Sequence, residues 1–193
     1  IKDIPKLIRP DDVLVVNNTK VIPARLNGKK ENGTKVQVTL LKLIDTNTWR
    51  ALARPGRKLN QGDRIYFSPD LFCDVIYKNT NGQITLVFPL TKEELITALY
   101  SQGSMPLPPY IKRKRSGNKI DNNNYQTMFA KNPGAIAAPT AGLHFTEDLI
   151  DKIEKIGAKI VPLTLHVGAG TFLSVKVDNT NDHKMHSEWG KIS

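Results

Sequence analysis

The segment APTAGLHFTEDL, residues 138–149, combines residue types that could do chemistry and that a packed core does not require. Thr146 suits the N-cap of a following helix, and His144 stands just before it. Because the positive end of a helix disfavours an imidazolium, we expect His144 to be neutral and able to accept a proton. The backbone N–H groups of this turn, the hydroxyls of Thr140 and Thr146, and the small Gly142 predict a pocket for a carboxylate or phosphate. The alternative is a well-capped helix that carries an incidental histidine.

The histidines of the chain all lie in its last fifty residues, and this clustering favours a single site. They are His144, His166, His183 and His186. His166 belongs to LHVGAGTF, residues 165–172, where a predicted strand ends in a glycine-rich loop. Ligands of open α/β sheets lie at the carboxyl ends of strands, so this loop is expected to approach a ligand closely. The loop residues concerned are Gly168, Gly170 and Thr171.

A further segment, DHKMHSEW at residues 182–189, holds His183, His186 and Glu188. Its H-x-x-H-x-E spacing could place two imidazoles and a carboxylate around a divalent metal, with His144 or His166 completing the set. However, the spacing fits none of the standard zinc patterns, and no carboxylate-rich partner segment is present in the sequence. A metal-dependent hydrolase therefore stays an alternative, while we expect no metal.

Two segments of the amino-terminal half place basic and hydroxyl side chains in turns that can face an anion. The segment NNTKVIPARLNG, residues 17–28, holds Thr19 and Arg25 around a proline turn. The segment LARPGRK, residues 52–58, holds Arg54 in a second turn. For each basic residue taken alone, a solvated surface position is the competing interpretation.

The charge balance favours a polyanionic partner. The formal net charge is +10 and the isoelectric point is near 9.7, and clustered basic residues gain affinity by releasing the counterions of a phosphate backbone. AT-rich codon usage would also enrich Lys, Asn and Ile without selection for binding. The one concentrated run is IKRKRSGNK, residues 111–119, which is either a solvated loop or a phosphate-contacting loop. Its basic core is Lys112, Arg113, Lys114 and Arg115.

Composition also indicates a compartment. A single cysteine, Cys73, excludes an internal disulfide framework and fits a reducing compartment. Because Cys73 lies in an apolar strand-like run, we expect a buried small hydrophobe. No apolar run approaches the roughly 20 residues of a membrane helix, and the first residues lack signal-peptide features. The sequence predicts a cytoplasmic protein without a membrane contact, and its start at Ile1 without a methionine suggests a piece of a longer chain.

Hydrophobic patterning predicts the elements that position these residues. Short apolar or alternating runs between residues 12 and 88 predict strands, and the pairs Asn27-Gly28, Asn32-Gly33 and Asn81-Gly82 predict hairpin turns. Such spacing is typical of a small barrel. Later segments predict a helix with a capping box at residues 91–103, a helix after Thr146 that ends at Gly157, and a strand before the glycine loop.

The predicted fold class is therefore α/β, in the mixed α+β sense, with a small β-barrel at residues 12–90. Residues 1–11 and 91–193 are assigned to an α/β domain.

Motifs along the whole chain, taken in order, closely resemble the S-adenosylmethionine:tRNA ribosyltransferase-isomerase family of queuosine biosynthesis. They are VLVVNNTKVIPARLNG, RPGRK, PLPPYI, YQTMFA, AAPTAGLHFT, LHVGAGTF and HKMHSEW. The resemblance implies that the β-barrel at residues 12–90 is inserted in an α/β catalytic domain, in agreement with the barrel predicted above. It also implies that this catalytic domain, residues 1–11 and 91–193, is incomplete at its carboxyl end. The family pattern also has a short segment before Ile1 and further motifs beyond Ser193.

The resemblance implies transfer of the ribosyl moiety of S-adenosylmethionine to an aminomethyl-deazaguanine base at the tRNA wobble position, followed by isomerisation. The product would be epoxyqueuosine, with release of adenine and methionine. S-adenosylmethionine is then a co-substrate, tRNA is bound at its anticodon region, and neither a prosthetic group nor a metal is expected. We further expect a monomer. A non-catalytic tRNA-binding fragment of such an enzyme is the competing function.

The resemblance also gives the residues roles. His144 or His166 would be the base that removes the acidic proton beside the sulfonium, and His183, His186 or Glu188 would protonate departing adenine. The turn from Thr140 to Thr146 would bind the methionine carboxylate. Tyr110 or Phe145 would stack on adenine or the deazaguanine. Arg25, Arg54 and the basic core at Lys112–Arg115 would contact tRNA phosphates.

Overall fold

The computed structural model describes residues 1–80, 82–108, 111, 119–172, 177–183 and 185–192. The chain divides into two compact units, one formed by Ile1–Val21 with Asn123–Ser193 and the other by Ile22–Asn122. The second unit interrupts the first in the sequence, and it contains a closed six-stranded barrel. The predicted α/β fold with an inserted barrel is therefore confirmed.

The elements of the described residues follow in chain order. The strands are β1 (Val13–Asn17), β2 (Thr19–Val21), β3 (Arg25–Lys30), β4 (Lys35–Asp45), β5 (Thr48–Arg54), β6 (Arg64–Ser68), β7 (Leu71–Lys78), β8 (Gln83–Val87), β9 (Asn132–Ala135), β10 (Lys159–His166) and β11 (Trp189–Lys191). The helices are α1 (Lys92–Gln102), α2 (Lys119–Asn124) and α3 (Glu147–Lys155). None of these helices is long and apolar enough to cross a membrane.

The first unit is built on parallel strand pairs. β1 pairs in parallel with β10, β10 pairs antiparallel with β11, and β2 pairs in parallel with β9. A small apolar cluster of Leu149, Ile153 and Ala158 buries one face of α3, and Leu14 of β1 packs against it. The α3 helix thus anchors the strand whose end leads into the NNT segment.

The barrel of the second unit follows the order β3-β4-β5-β8-β7-β6 and closes where β3 pairs with β6. Alternate residues of β4 point into it: Val36, Val38 and Leu40 are buried between partly exposed neighbours. This period of two residues is the pattern that the sequence showed. Cys73 is buried in β7, as predicted, and burial raises the pKa of its thiol.

Local capping rules account for the two longer helices. Thr91 and Glu94 form the predicted capping box at the start of α1, with Thr91 N donating to Glu94 Oε2 at 2.8 Å. Thr146 caps α3 by accepting a hydrogen bond from Leu149 N at 3.3 Å. Gly157, at φ +97°, follows the end of α3 in the left-handed region that favours glycine.

Several features of the first 135 residues differ from the sequence predictions. The barrel does not span residues 12–90: β1 and β2 belong to the first unit, whereas α1 belongs to the second. β1 is apolar enough for a barrel strand, but its partner is the distant β10. β9 was not predicted, because its sequence NPGA contains Pro and Gly, which are depleted in strands.

The predicted turn at Asn27-Gly28 is wrong, because both residues lie inside β3. A Cβ on Gly28 would lie 2.7 Å from Tyr66 O and 2.7 Å from Phe67 Cδ1, so this glycine lets β6 approach where the barrel closes. The turn between β3 and β4 is instead at Asn32-Gly33, where Gly33 has φ +79°. That second prediction is confirmed.

We expect Gly28→Ala to destabilise the protein by about 1–3 kcal/mol, because the added methyl group would collide with the β6 backbone. Urea unfolding followed by circular dichroism measures the change in the free energy of unfolding. The matched control is Gly56→Ala, where no atom lies within 4 Å of the added Cβ; it should change stability by less than about 0.5 kcal/mol. Equal stability of the two variants would contradict the close approach of β3 and β6.

Candidate functional site

Asn17, at the end of β1, extends the pairing of β1 with β10 through its side chain. Its Oδ1 accepts a hydrogen bond from Leu165 N at 3.1 Å, and its Nδ2 donates to Leu165 O at 2.9 Å. The same Oδ1 accepts from Thr19 N at 3.0 Å. One amide side chain therefore fixes both the residue before His166 and the start of β2.

Asn18 joins three strands through a compact set of hydrogen bonds. Its Oδ1 accepts from Thr164 Oγ1 at 2.7 Å and from Asn132 Nδ2 at 3.0 Å, while Asn132 Nδ2 also donates to Thr164 Oγ1 at 2.8 Å. Its backbone carbonyl accepts from the amides of Lys131 and Asn132 at 2.8 and 3.0 Å. We call Asn18, Thr164 and Asn132 the polar triad. It ties the β1–β2 connection to β9 and β10.

His166 lies at the carboxyl end of β10, two residues beyond the triad member Thr164. Its Nδ1 is 2.6 Å from Thr19 Oγ1, and its ring stacks on Trp189 with centroids 5.1 Å apart and planes 20° apart. A Cβ on Gly134 would lie 2.5 Å from His166 Nε2, so only glycine fits at that position of β9. Neighbours on β2, β9 and β11 thus hold the half-buried imidazole.

The glycine loop after β10 is held by Glu188. Gly168 N donates to Glu188 Oε1 at 2.8 Å, and His186 Nε2 lies 3.5 Å from the same oxygen. A Cβ on Gly170 would collide with the His186 ring. The structure therefore brings the predicted Gly168, Gly170, His186 and Glu188 together, next to His166, whose strand partner is Trp189. Thr171 closes the turn, with its N–H donating to Gly168 O at 3.4 Å.

The segment around His144 forms two short elements instead of one helix start. Residues Thr140–His144 make a 3-10 turn, and α3 begins only at Glu147. His144 and Thr140 are exposed. Phe145 packs edge-on against Phe129, with centroids 5.6 Å apart, and against the α3 cluster. This packing gives Phe145 a structural explanation, while its stacking on a base stays a prediction.

Two further residues of this segment also have local contacts. Gly142 packs against Thr127, whose Cγ2 would lie 2.9 Å from an added Cβ. The Thr146 hydroxyl is occupied as the cap of α3.

His183 belongs to a different segment, where it is half-buried at the end of a 3-10 turn, Thr180–Asp182. The roles predicted for Gly142, Thr146, His183 and His144 stay predictions.

Within the described part of the chain, no group of three or more His, Cys, Asp or Glu side chains is arranged to hold a metal ion. His186 and Glu188 do lie close together, but Glu188 Oε1 is also hydrogen-bonded to Gly168 N. The geometry found there is that of a carboxylate holding a loop.

Arg25 of the barrel unit has the features of a cation that lacks a counterion. Its Nη2 donates to Leu107 O at 3.3 Å, while its buried Nε has no hydrogen-bond partner. Burial, and then the nearby charge of Arg54, lower the pKa of Arg25 from its usual value. Among the described residues, neither arginine forms a salt bridge. Two neighbouring guanidinium groups in this state suit an anionic ligand.

Some predicted residues lie outside the described residues, namely Tyr110 and the basic core Lys112, Arg113, Lys114 and Arg115. Sequence reasoning missed others, chiefly Asn17, Asn18, Asn132, Gly134 and Trp189. Consecutive asparagines at the end of an apolar strand are the signal that could have found the first two, because buried amides need partners.

Comparison with known proteins gives a match along the whole chain. A family model described as queuosine biosynthesis protein matches residues 1–193. A relative from Afipia carboxidovorans is 49% identical over 204 residues, which cover 100% of this chain and 56% of the relative. A relative from Methylocella silvestris is 48% identical and covers 100% of this chain and 55% of its own length. Both are named S-adenosylmethionine:tRNA ribosyltransferase-isomerase.

A third relative bears the same name. The relative from Thermosipho melanesiensis is 46% identical and covers 97% of this chain and 53% of the relative. The chain thus spans slightly more than half the length of the curated relatives it matches. Among solved structures, S-adenosylmethionine tRNA ribosyltransferase from Thermotoga maritima is 25% identical, with a TM-score of 0.37, over 86% of this chain and 44% of that one.

We expect Glu188→Ala to speed hydrogen exchange of the Gly168 amide by about tenfold, because a hydrogen bond to a charged acceptor contributes roughly 1.5–3 kcal/mol. Amide exchange followed by NMR or mass spectrometry measures the rate. Glu188→Gln is the control, since its side-chain oxygen can still accept from Gly168 N. Unchanged exchange in Glu188→Ala would contradict the role of this carboxylate in holding the loop.

Proposed function

This chain belongs to the queuosine biosynthesis protein family, and from that premise we propose that it carries S-adenosylmethionine:tRNA ribosyltransferase-isomerase chemistry. In the proposed reaction, the ribosyl moiety of S-adenosylmethionine moves to the aminomethyl-deazaguanine base at the tRNA wobble position. Isomerisation then gives epoxyqueuosine, with release of adenine and methionine. The reaction would take place in the cytoplasm, with S-adenosylmethionine as co-substrate and without a prosthetic group or metal.

One observation carries the proposal: relatives that share 44–49% identity and match this chain from end to end bear the same enzyme name. The structure supports a location for the chemistry. His166, the glycine loop and the His186–Glu188 pair gather at the carboxyl end of β10. Ligands of α/β sheets bind at such strand ends.

The proposed roles follow from what the reaction needs. The sulfonium of S-adenosylmethionine acidifies the ribose carbon beside it, so a neutral base must accept that proton, and His144 and His166 are the candidates. Departing adenine must gain a proton, for which His183, His186 and Glu188 are candidates. The exposed turn from Thr140 to Thr146 and the loop from Gly168 to Thr171 would bind the remaining parts of the co-substrate, with Thr19 behind His166.

The barrel unit would contribute to tRNA binding. Arg25 and Arg54 would contact phosphates, since the first has a buried Nε without a partner and the second adds a neighbouring positive charge. The basic core Lys112–Arg115 would extend this contact, and Tyr110 or Phe145 would stack on a base. We propose that the active form is a monomer.

A second candidate function is a tRNA-binding fragment without turnover. The coverage favours it, because the chain spans only 53–57% of the relatives' lengths. Residues supplied by the rest of a longer protein would then complete the site.

The test of function is adenine release from S-adenosylmethionine, measured by chromatography with and without tRNA that carries the aminomethyl-deazaguanine base. The purified chain is compared with the full-length Afipia carboxidovorans relative. We expect release by the chain only when the modified tRNA is present. Binding of tRNA by the folded chain without any release would contradict the catalytic proposal and support the binding fragment.

We expect Arg25→Gln and Arg54→Gln each to weaken tRNA binding and to reduce the slope of log K against log salt concentration by about 1, because each removes a phosphate contact. Fluorescence anisotropy with labelled tRNA at several salt concentrations measures the slope. The control is Lys92→Gln, an exposed charge on α1 of the same unit, which should leave the slope unchanged. An equal loss in all three variants would indicate that only net charge matters.

A further inference from the structure

We infer that Thr19 holds His166 as the tautomer with its hydrogen on Nε2, so that His166 is a hydrogen-bond donor and not the base of the proposed reaction. The tautomer itself rests only on the structure, whereas its consequence for the choice of base rests on the proposed function.

The buried hydroxyl of Thr19 needs an acceptor for its hydrogen. The residue is 1% exposed, and its Oγ1 lies 2.6 Å from His166 Nδ1. Among the described residues this is the one hydrogen bond that the hydroxyl makes. A buried hydroxyl hydrogen without an acceptor costs roughly 1–3 kcal/mol. The hydrogen of Thr19 Oγ1 is therefore donated to Nδ1, whose lone pair accepts it.

Thr19 and the His166 ring are both held in fixed positions. Thr19 N is bound to Asn17 Oδ1 at 3.0 Å, and β2 pairs with β9 from Thr19 onward, so the threonine backbone is fixed. The imidazole is fixed by stacking on Trp189 and by close packing on Gly134. Turning the ring over would replace Nδ1 by a carbon at 2.6 Å from the hydroxyl. The pairing of Oγ1 with Nδ1 is thus the stable arrangement.

The bond from Thr19 decides which nitrogen of His166 carries the hydrogen. A neutral imidazole has one nitrogen that accepts and one that donates. With the Nδ1 lone pair occupied by Thr19, the hydrogen lies on Nε2, and neither nitrogen has a free lone pair for a substrate proton. The base of the proposed reaction would then be His144, the other histidine proposed for that role.

The tautomer can be read directly by long-range 1H–15N NMR on the 193-residue chain labelled with 15N-histidine. The chain has only four histidines, so His166→Gln assigns the His166 signals by their loss. We expect an N–H nitrogen at Nε2 and an accepting nitrogen at Nδ1 at neutral pH. The opposite pattern, or a doubly protonated ring, would overturn the inference.

Two matched variants test the part played by Thr19. Thr19→Val keeps the shape but removes the hydroxyl, and we expect the preference for the Nε2–H form to fall by about tenfold, toward a mixture. Thr19→Ser keeps the hydroxyl and should keep the single tautomer. An unchanged tautomer in Thr19→Val, with the Trp189 indole signal still at its native position, would show that Thr19 does not set it.

The NMR measurement does not require enzymatic activity. A different tautomer would therefore contradict the inference about Thr19 and His166 without contradicting the proposed function. If Thr19→Val did not fold, the tautomer of the unsubstituted chain and of Thr19→Ser would still decide the first claim. Adenine release by a chain whose His166 carries the hydrogen on Nδ1 would keep the function and overturn the inference.

Discussion

The polar triad of Asn18, Thr164 and Asn132 is the constraint on which the site depends. Thr164 is buried and the two asparagines are half-buried, and polar groups in such positions are costly without partners. Here each satisfies the others across three strands. Its effect is to fix where β1 ends and β2 starts relative to the end of β10. Thr19 and His166 each follow a triad member by one or two residues, so their mutual distance is set by the same bonds.

The asparagines of the first unit and Arg25 of the second differ in how many of their polar atoms have hydrogen-bond partners. In the first unit, the asparagines of the NNT segment are saturated by protein partners, which makes that segment a rigid support. In the second unit, Arg25 keeps a buried Nε without a partner and lies near another cation. Saturation indicates a structural role, whereas an unpaired and partly desolvated cation indicates a place for a ligand. This contrast separates residues that support the proposed site from residues that are proposed to hold the nucleic acid.

Sequence reasoning succeeded where the governing interactions are local. The capping box of α1, the Thr146 cap and the turn at Gly33 depend on neighbours within a few residues, and all were predicted. The partner of β1 could not be predicted, because an apolar run such as VLVV fits a barrel strand and a parallel strand equally well. Gly28 was misassigned for a related reason: an Asn-Gly pair favours a turn, but a close approach of β6 also requires glycine.

Predictions for the candidate site show the same difference between local sequence patterns and contacts between separate strands. Histidine clustering and the glycine loop drew attention to residues 165–172 and 182–189, and the structure brings Gly168, Gly170, His186 and Glu188 of these segments together. The support behind them was missed, since nothing in the spacing shows that Thr19 meets His166 or that Trp189 lies against it. The first contact joins positions 147 residues apart in the chain, and the second depends on the pairing of β10 with β11.

The interrupted order of the first unit has a consequence for how the chain folds during synthesis. Val13 pairs with Lys159, so β1 and β2 emerge from the ribosome long before their partners exist. The barrel residues, by contrast, are contiguous between Ile22 and Asn122 and can pair as soon as they are made. A barrel that folds first removes most of the flexible chain between β1 and β10, which lowers the entropy lost when that long loop closes. If the barrel folds first, the insertion would thus favour folding of the unit that it interrupts.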